Sequence, residues 1–170
     1  MVINYYQGNR DHWWISIDQY PYLSDDEARS RQLPEASVPD WLQTLAKRVL
    51  TTGGMHMVVP PVEDDYTATR SQTWVIGPDI GIKRVPGAPS ACHRNVVAWY
   101  DQHAMLGERA KIVTGYALTA SDKIWRQHSW GLWLKRQNRP TIIETTESRS
   151  VYVGVALSAA EAEQFARNNA

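Results

Sequence analysis

Three residues, Cys92, His128 and Glu144, have the types and positions that nucleophilic catalysis requires. Cys92 is the single cysteine of the chain, and it follows the segment Pro-Gly-Ala-Pro-Ser over 86–90. That segment predicts a sharp entry to a helix with Ser90 as its N-cap. A thiolate in the first turn of a helix faces unsatisfied backbone N–H groups, which lower its pKa and make it nucleophilic. The alternative is a small buried cysteine that only fills space.

His128 is the best placed of the five histidines to accept the proton of Cys92. A cysteine nucleophile needs such a base, and the base needs a third group to orient it. His128 lies inside an apolar strand and shares a face with Trp130 and Leu132, where an imidazole without a partner is costly. His93 points about 100° round its helix from Cys92. It is interpreted, with the histidines in polar or terminal contexts, as structural or solvent-facing: His12, His56 and His103.

Glu144 is the predicted third member, because a hairpin connects its strand to that of His128. A loop centred near Arg136 would place Glu144 directly opposite His128 on the same face. A shift of the centre by one residue would align Thr146 instead and leave Glu144 as the diagonal neighbour. Glu147 would need an odd register, which turns it to the opposite face. A His and Glu pair that only stabilises the sheet is the alternative to a catalytic pair.

Four short segments together resemble the core of transglutaminase-like enzymes within the papain-like superfamily. They are Ser90-Ala-Cys-His-Arg-Asn95, Gly115-Tyr-Ala-Leu118, Gln127-His-Ser-Trp-Gly131 and Ile143-Glu-Thr-Thr146. That core has a cysteine at the start of a helix, a His-Ala-Trp type strand and an Asp-Pro-Thr type strand, and the resemblance covers about residues 86–157. It implies Cys92 as nucleophile, His128 as general base and later acid, and Glu144 as orienting carboxylate, with Trp130 shielding the pair from water. The Cys-His-x-Asn and His-Ser-Trp-Gly signatures are also similar to those of small bacterial and phage proteins, a resemblance that implies no activity.

The chain departs from that family pattern at two places. The third residue is usually Asp, and Glu144 is one methylene longer, so its carboxylate must approach differently or a second side chain must help. Papain-like proteases place a glutamine a few residues before the cysteine as an oxyanion donor, where this chain has Pro-Gly-Ala over 86–88. Gln72 or Gln127 would have to supply that donor from another strand, with the Cys92 backbone N–H as the second.

The elements that must position these residues form an α+β plan. The first forty residues are interpreted as an irregular covering arm with one short helix, and a helix opens at Pro39 and Asp40 and stops at Gly53-Gly54. A helix over about Ala91 to Met105 should bear Cys92 and pack on a four- to six-stranded, mainly antiparallel sheet. A closing helix should begin at Ser158, with Glu161 completing a capping box. The predicted strands are Met55–Val59, Thr73–Ile76, Ile80–Val85, Lys111–Leu118, Ile124–Leu134, Pro140–Thr146 and Val151–Leu157.

Length and composition exclude several other classes. The 170 residues suit one domain, divided into an N-terminal arm, helix and strands over 1–85 and a catalytic-core region over 86–170. Eighteen Lys and Arg balance eighteen Asp and Glu, so the net charge gives no support to nucleic-acid or membrane binding. The absence of a long apolar run and of a signal-peptide pattern predicts a cytoplasmic protein. A single cysteine excludes an intrachain disulfide and a multi-thiolate zinc site, and no cofactor or metal is expected.

Two functional hypotheses follow from the sequence. The first is a cysteine-dependent hydrolase or acyltransferase that acts on an amide or thioester of a protein, a peptide or a small molecule. The second is a non-catalytic interaction protein on a degenerate papain-like scaffold, because eight Trp and eight Tyr against one Phe would suit an aromatic binding face. The oligomeric state is left open by the sequence.

Overall fold

The computed structural model describes residues 1–61, 74–76, 80–103, 109–134 and 140–170, with 74–76 described by their backbone. Gln72 and the tip of the predicted hairpin, 135–139, lie outside the described residues. The described chain contains four α-helices: α1 Asp25–Arg31, α2 Asp40–Leu50, α3 Cys92–His103 and α4 Ala159–Asn169. Its strands are β1 Asn4–Gln7, β2 Trp13–Ser16, β3 Gln32–Leu33, β4 His56–Val59, β5 Trp74–Ile76, β6 Gly81–Arg84, β7 Ala110–Thr119, β8 Ile124–Leu134, β9 Pro140–Glu144 and β10 Arg149–Ala156.

The strands form one mixed, mostly antiparallel sheet, so the α+β prediction is confirmed at that level. The order is β3-β1-β2-β4-β8-β7-β10-β5, with β9 paired to both β8 and β6. The pairs β4 with β8 and β6 with β9 are parallel. The long strands β7 and β8 pair along Ala110–Leu118 and form the centre of the sheet.

Strand β8 has a divided edge on the side away from β7. Its residues 124–126 pair with β4, and its residues 131–134 pair with β9. In the described part of the chain, residues 127–130 have no strand partner on that edge. His128 therefore lies at an opening in the sheet between two neighbouring strands.

Helices pack on both faces of the sheet. On one face α2 packs around Trp125, and α3 and α4 pack around Ile112 and Ile143. On the other face a cluster around Trp130, Leu132 and Tyr152 forms the core, and α1 packs beside Ile124. None of the described helices is long and apolar enough to cross a bilayer.

The N-terminal prediction was wrong in part. The first forty residues contain the short helix that was expected, α1, but they also contain β1, β2 and β3, which extend the sheet beyond β4. Within the described ranges the sheet therefore has ten strands rather than four to six. The sequence signal was hidden because two-residue and four-residue strands are too short to show an alternating pattern.

The predicted boundaries of the Cys-bearing helix need a small correction. The helix begins at Cys92, and Ala91 rather than Ser90 accepts its first backbone bond, from the N–H of Asn95. Ser90 has a φ of 55°, in the left-handed region, so it belongs to the preceding turn. Cys92 therefore lies one position closer to the helix terminus than predicted. The capping box of Ser158 and Glu161 at the start of α4 is confirmed.

The predicted register of the hairpin formed by β8 and β9 was wrong, because its centre lies one residue later than Arg136. Gly131 pairs with Ile143 and Leu134 pairs with Pro140, so the pairs are centred on residue 137. In that register Glu144 is the diagonal neighbour of His128, which is the alternative that the sequence left open. The two residues remain on one face because the shift moves the partner strand by two residues.

Gly154 gives a test of how tightly the sheet packs beneath the site. A Cβ at this position would lie 2.6 Å from the Trp130 ring and 2.7 Å from the Thr114 carbonyl oxygen. We therefore expect Gly154→Ala to lower the free energy of unfolding by about 1–3 kcal/mol, measured by urea denaturation. Gly81→Ala is the control, because nothing lies within 4 Å of its added Cβ. Equal stability of the two variants would contradict this packing.

Candidate active site

Cys92 is the first residue of α3 and is partly exposed. The unsatisfied N–H groups of the first helical turn surround it, and their field favours a negative charge on sulfur. The thiol lines the same cleft as His128, and interaction with that imidazole lowers the pKa of the thiol. The shared cleft places the start of α3 at the open part of the β8 edge.

His128 and Glu144 form a buried pair behind Cys92. The Nε2 atom of His128 lies 2.9 Å from Oε2 and 3.2 Å from Oε1 of Glu144, and the side chains are 1% and 0% exposed. With Nε2 donating to the carboxylate, Nδ1 is the ring nitrogen left for the thiol. The extra methylene of glutamate suits the diagonal register, since diagonal neighbours on paired strands are about 7–8 Å apart.

Three further donors hold the Glu144 carboxylate. The Thr146 N–H and hydroxyl donate to Oε1 at 2.9 and 3.0 Å, and the Tyr152 hydroxyl donates to Oε2 at 2.9 Å. Thr146 thus contacts the carboxylate although the sequence offered it as an alternative partner of His128. Both carboxylate oxygens are satisfied, which a buried charge requires.

His93, which the sequence interpretation set aside, is part of the site. Its Nδ1 lies 3.9 Å from Cys92 Sγ and 2.7 Å from Ser129 Oγ, and Ser129 donates its own proton to Thr114 Oγ1. The Ser129 oxygen then accepts from the Nδ1–H of His93, and that one proton also faces the more distant sulfur. The Cβ atoms of Cys92 and His93 point in directions about 100° apart, as expected, but the imidazole is long enough to approach the sulfur all the same. The sequence feature that could have identified His93 is that it directly follows Cys92, as Ser129 directly follows His128.

The charges of the site favour an ion pair between sulfur and imidazole. Burial disfavours the Cys92 thiolate, yet hydrogen bonds and charges from His128 and His93 lower the pKa of the thiol from 9.0 to about 5. Burial likewise opposes a charge on His128, but the hydrogen bonds to Cys92 and Glu144 outweigh it and raise the pKa of the imidazole. Burial raises the pKa of Glu144, and the bonds from His128, Thr146 and Tyr152 overcome it, bringing that pKa to about 2.

Asn95 holds the loop that precedes Cys92. Its Nδ2 donates to the Ala88 carbonyl at 2.7 Å, and its Oδ1 accepts from the Ala88 N–H at 3.0 Å. Gly87 donates its N–H to the Thr145 carbonyl at 3.0 Å, and an added Cβ on it would lie 2.4 Å from the Asn95 side chain. Asn95, the last residue of the Cys-His-x-Asn signature, therefore positions the loop that precedes Cys92.

A cleft of about 620 Å³ opens over the thiol. Gln127, one of the two predicted oxyanion donors, lines it beside Cys92, while Gln72 is not among the described residues. Trp130 is fully buried and stacks on His128 with ring centroids 6.0 Å apart, so it covers the imidazole from the side of the core. The lining is mixed polar and apolar: Arg84, Gly87, Pro89, Ser90, Cys92, Arg126, Gln127, His128, Thr146, Glu147 and Arg149.

Comparison of the chain with protein-family models, with curated proteins and with solved structures gives no match. Within the described ranges, no group of three or more His, Cys, Asp or Glu side chains is arranged to hold a metal ion.

The donor role of His93 can be tested through the titration of the thiol. We expect His93→Ala to raise the midpoint of Cys92 alkylation by about 1 pH unit, because one hydrogen bond to the thiolate is lost. His93→Asn keeps an N–H donor at a similar position and should retain most of the effect. His103→Ala is the control, since that imidazole bonds the Trp99 carbonyl at the other end of α3. A His93→Ala midpoint equal to that of the control would contradict the donor role.

Proposed function

We propose that this protein is a cysteine-dependent hydrolase or acyltransferase that acts on an amide or thioester through an acyl-enzyme. The observation that carries the proposal is a helix-terminal thiol that shares a cleft with His128, whose Nε2 bonds a buried, fully bonded Glu144. A thiol, an imidazole and a carboxylate in that order are the three groups that activate a nucleophile. The resemblance to the papain-like and transglutaminase-like core adds support from the sequence.

In the first half of the reaction the Cys92 thiolate attacks the substrate carbonyl carbon and forms a C–S bond. The His128 imidazolium then gives its proton to the leaving amine, or to the leaving thiolate of a thioester. The bond from carbon to that group breaks, and the acyl group remains on sulfur as a thioester. Glu144 keeps the ring oriented and balances the charge of the imidazolium before this transfer.

In the second half neutral His128 takes a proton from water or from an acceptor amine. The activated oxygen or nitrogen attacks the thioester carbonyl, and the Cys92 thiolate leaves. The final products are an acid in hydrolysis and a new amide in acyl transfer. The cleft is open on the thiol side, which gives both kinds of acceptor access.

The oxyanion of each tetrahedral intermediate needs two donors near Cys92. The Cys92 backbone N–H points out of the first turn of α3, where it has no partner within the helix. The Gln127 side chain lines the same cleft from β8 and is proposed as the second donor. Because Gln127 directly precedes His128, its side chain lies on the opposite face of β8. It stands in the part of the β8 edge that has no strand partner among the described residues.

The alternative, an aromatic binding face on an inactive scaffold, finds less support in the exposed surface. The large exposed hydrophobic side chains of the described residues are Met1, Val2, Tyr22, Met55 and Ile82. Tyr22 is the one aromatic ring among them. The tryptophans Trp99, Trp125 and Trp130 are buried, so much of the Trp content serves the core.

Alkylation of Cys92 by iodoacetamide tests the activated thiol without a known substrate. Since only the thiolate reacts, the rate should rise with pH to a midpoint near 5 and then level off, whereas a free thiol with a pKa of 9.0 keeps rising. A low-pKa thiolate is intrinsically less nucleophilic, so the two rates should be similar at pH 7. At pH 5.5 the native protein should react roughly 40-fold faster than a free thiol.

His128→Ala should raise that midpoint by about 1–3 pH units, because the main partner of the thiolate is removed. His103→Ala again serves as the control. A native midpoint near that of a free thiol would leave Cys92 as a packing residue and would overturn the proposal.

Turnover of an activated ester distinguishes an enzyme from a merely reactive cysteine. With p-nitrophenyl acetate we expect a burst of p-nitrophenolate, an acetylated Cys92 detectable by mass spectrometry, and continued release as the thioester is hydrolysed. Glu144→Gln should slow the burst and the turnover by about 10- to 100-fold, since His128 loses its charged partner. Acetylation without turnover in the native protein would support the inactive scaffold instead.

A further inference from the structure

The cleft over Cys92 carries an excess of arginine. Among the described residues, three arginines line it, Arg84, Arg126 and Arg149, against one acidic residue, Glu147. The chain as a whole has no net charge, so this local excess is a property of the cleft and not of the composition. Arginines at a reacting centre favour a substrate with a negative charge.

Two of the three arginines have a carboxylate partner. Arg126 makes two hydrogen bonds to Asp122, at 2.6 and 2.9 Å, so its charge is balanced by a residue outside the cleft lining. Arg149 pairs with Glu147 at 3.0 Å, and Glu147 is 60% exposed. These pairs leave one positive charge of the lining unbalanced.

Arg84 supplies that unbalanced charge. Its guanidinium donates to the Thr146 carbonyl at 2.7 Å, and it makes no ion pair with a carboxylate of the described residues. The Thr146 bond fixes the side chain beside the segment that carries Glu144, at the edge of the cleft. The Arg84 side chain is exposed, and its remaining N–H groups bond no acceptor among the described residues.

Arg149 adds a second donor. Its side chain is 7% exposed, and its buried Nε–H finds no acceptor among the described residues. A buried N–H without an acceptor is costly, and a ligand oxygen in the cleft would reach it after a small movement of the Arg149 side chain. Arg84, which has no carboxylate partner among the described residues, and Arg149, with its orphaned N–H, line one cleft with Cys92.

We propose that the acyl donor of this site carries a carboxylate close to the reacting carbonyl, bound by Arg84 and Arg149. This inference rests on the proposed function and names its substrate class. One unbalanced positive charge matches a monoanionic carboxylate better than a dianionic phosphate. The planar guanidinium fork is suited to both oxygens of a carboxylate.

The pair iodoacetate and iodoacetamide tests the proposal, because they differ by a carboxylate in place of an amide. We expect the ratio of their alkylation rates, iodoacetate over iodoacetamide, to be higher for Cys92 than for a free thiol. Arg84→Gln should lower that ratio about fivefold, because one charged hydrogen bond is lost. Added salt should lower the native ratio as well. Arg29→Gln, an exposed arginine on α1, should leave the ratio unchanged.

A ratio that is the same in the native protein and in Arg84→Gln would overturn the carboxylate site. That failure is distinct from failure of the proposed function, which would appear as slow iodoacetamide alkylation at pH 5.5. Protection against iodoacetamide gives the second measurement. N-acetylglycine should slow the reaction while its neutral methylamide does not. Inorganic phosphate that protects as well as N-acetylglycine would overturn the assignment to a carboxylate.

Discussion

The buried carboxylate of Glu144 is the interaction on which the site depends. A carboxylate with a fully buried side chain is stable only when its oxygens are bonded, and His128, Thr146 and Tyr152 meet that requirement. The same bonds hold His128 in the tautomer that leaves Nδ1 for Cys92. Loss of one partner would therefore disturb both the stability of the core and the basicity of the imidazole.

The sheet creates the place where these groups meet. Because β4 and β9 share one edge of β8 and leave 127–130 without a partner on that edge among the described residues, Cys92 from a helix on one face shares a cleft with His128 on the other. Ser129 points to the helix side and holds His93, which faces the same sulfur. The thiol thus lies 3.9 Å from an imidazole of its own helix and shares its cleft with an imidazole of a strand.

Two short sequence signatures interlock in the structure. In the first, His93 bonds Ser129 of the second signature, and Asn95 fastens the loop that precedes Cys92. In the second, His128 bonds Glu144 and Trp130 covers the imidazole, while a Cβ on residue 131 would lie 2.5 Å from the Trp99 ring. Each signature residue that the sequence singled out therefore has a physical task.

The sequence by itself determined the α+β class, the long strands, the Cys-bearing helix and the choice of Cys92, His128 and Glu144 as the candidate trio. These follow from periodicity, caps and residue types, which are local. The tertiary structure decided the hairpin centre, the added strands β1 to β3, the role of His93 and the basic cleft of Arg84 and Arg149. These depend on contacts between segments far apart in the chain, because register and cleft composition are fixed by packing and not by the order of neighbouring residues.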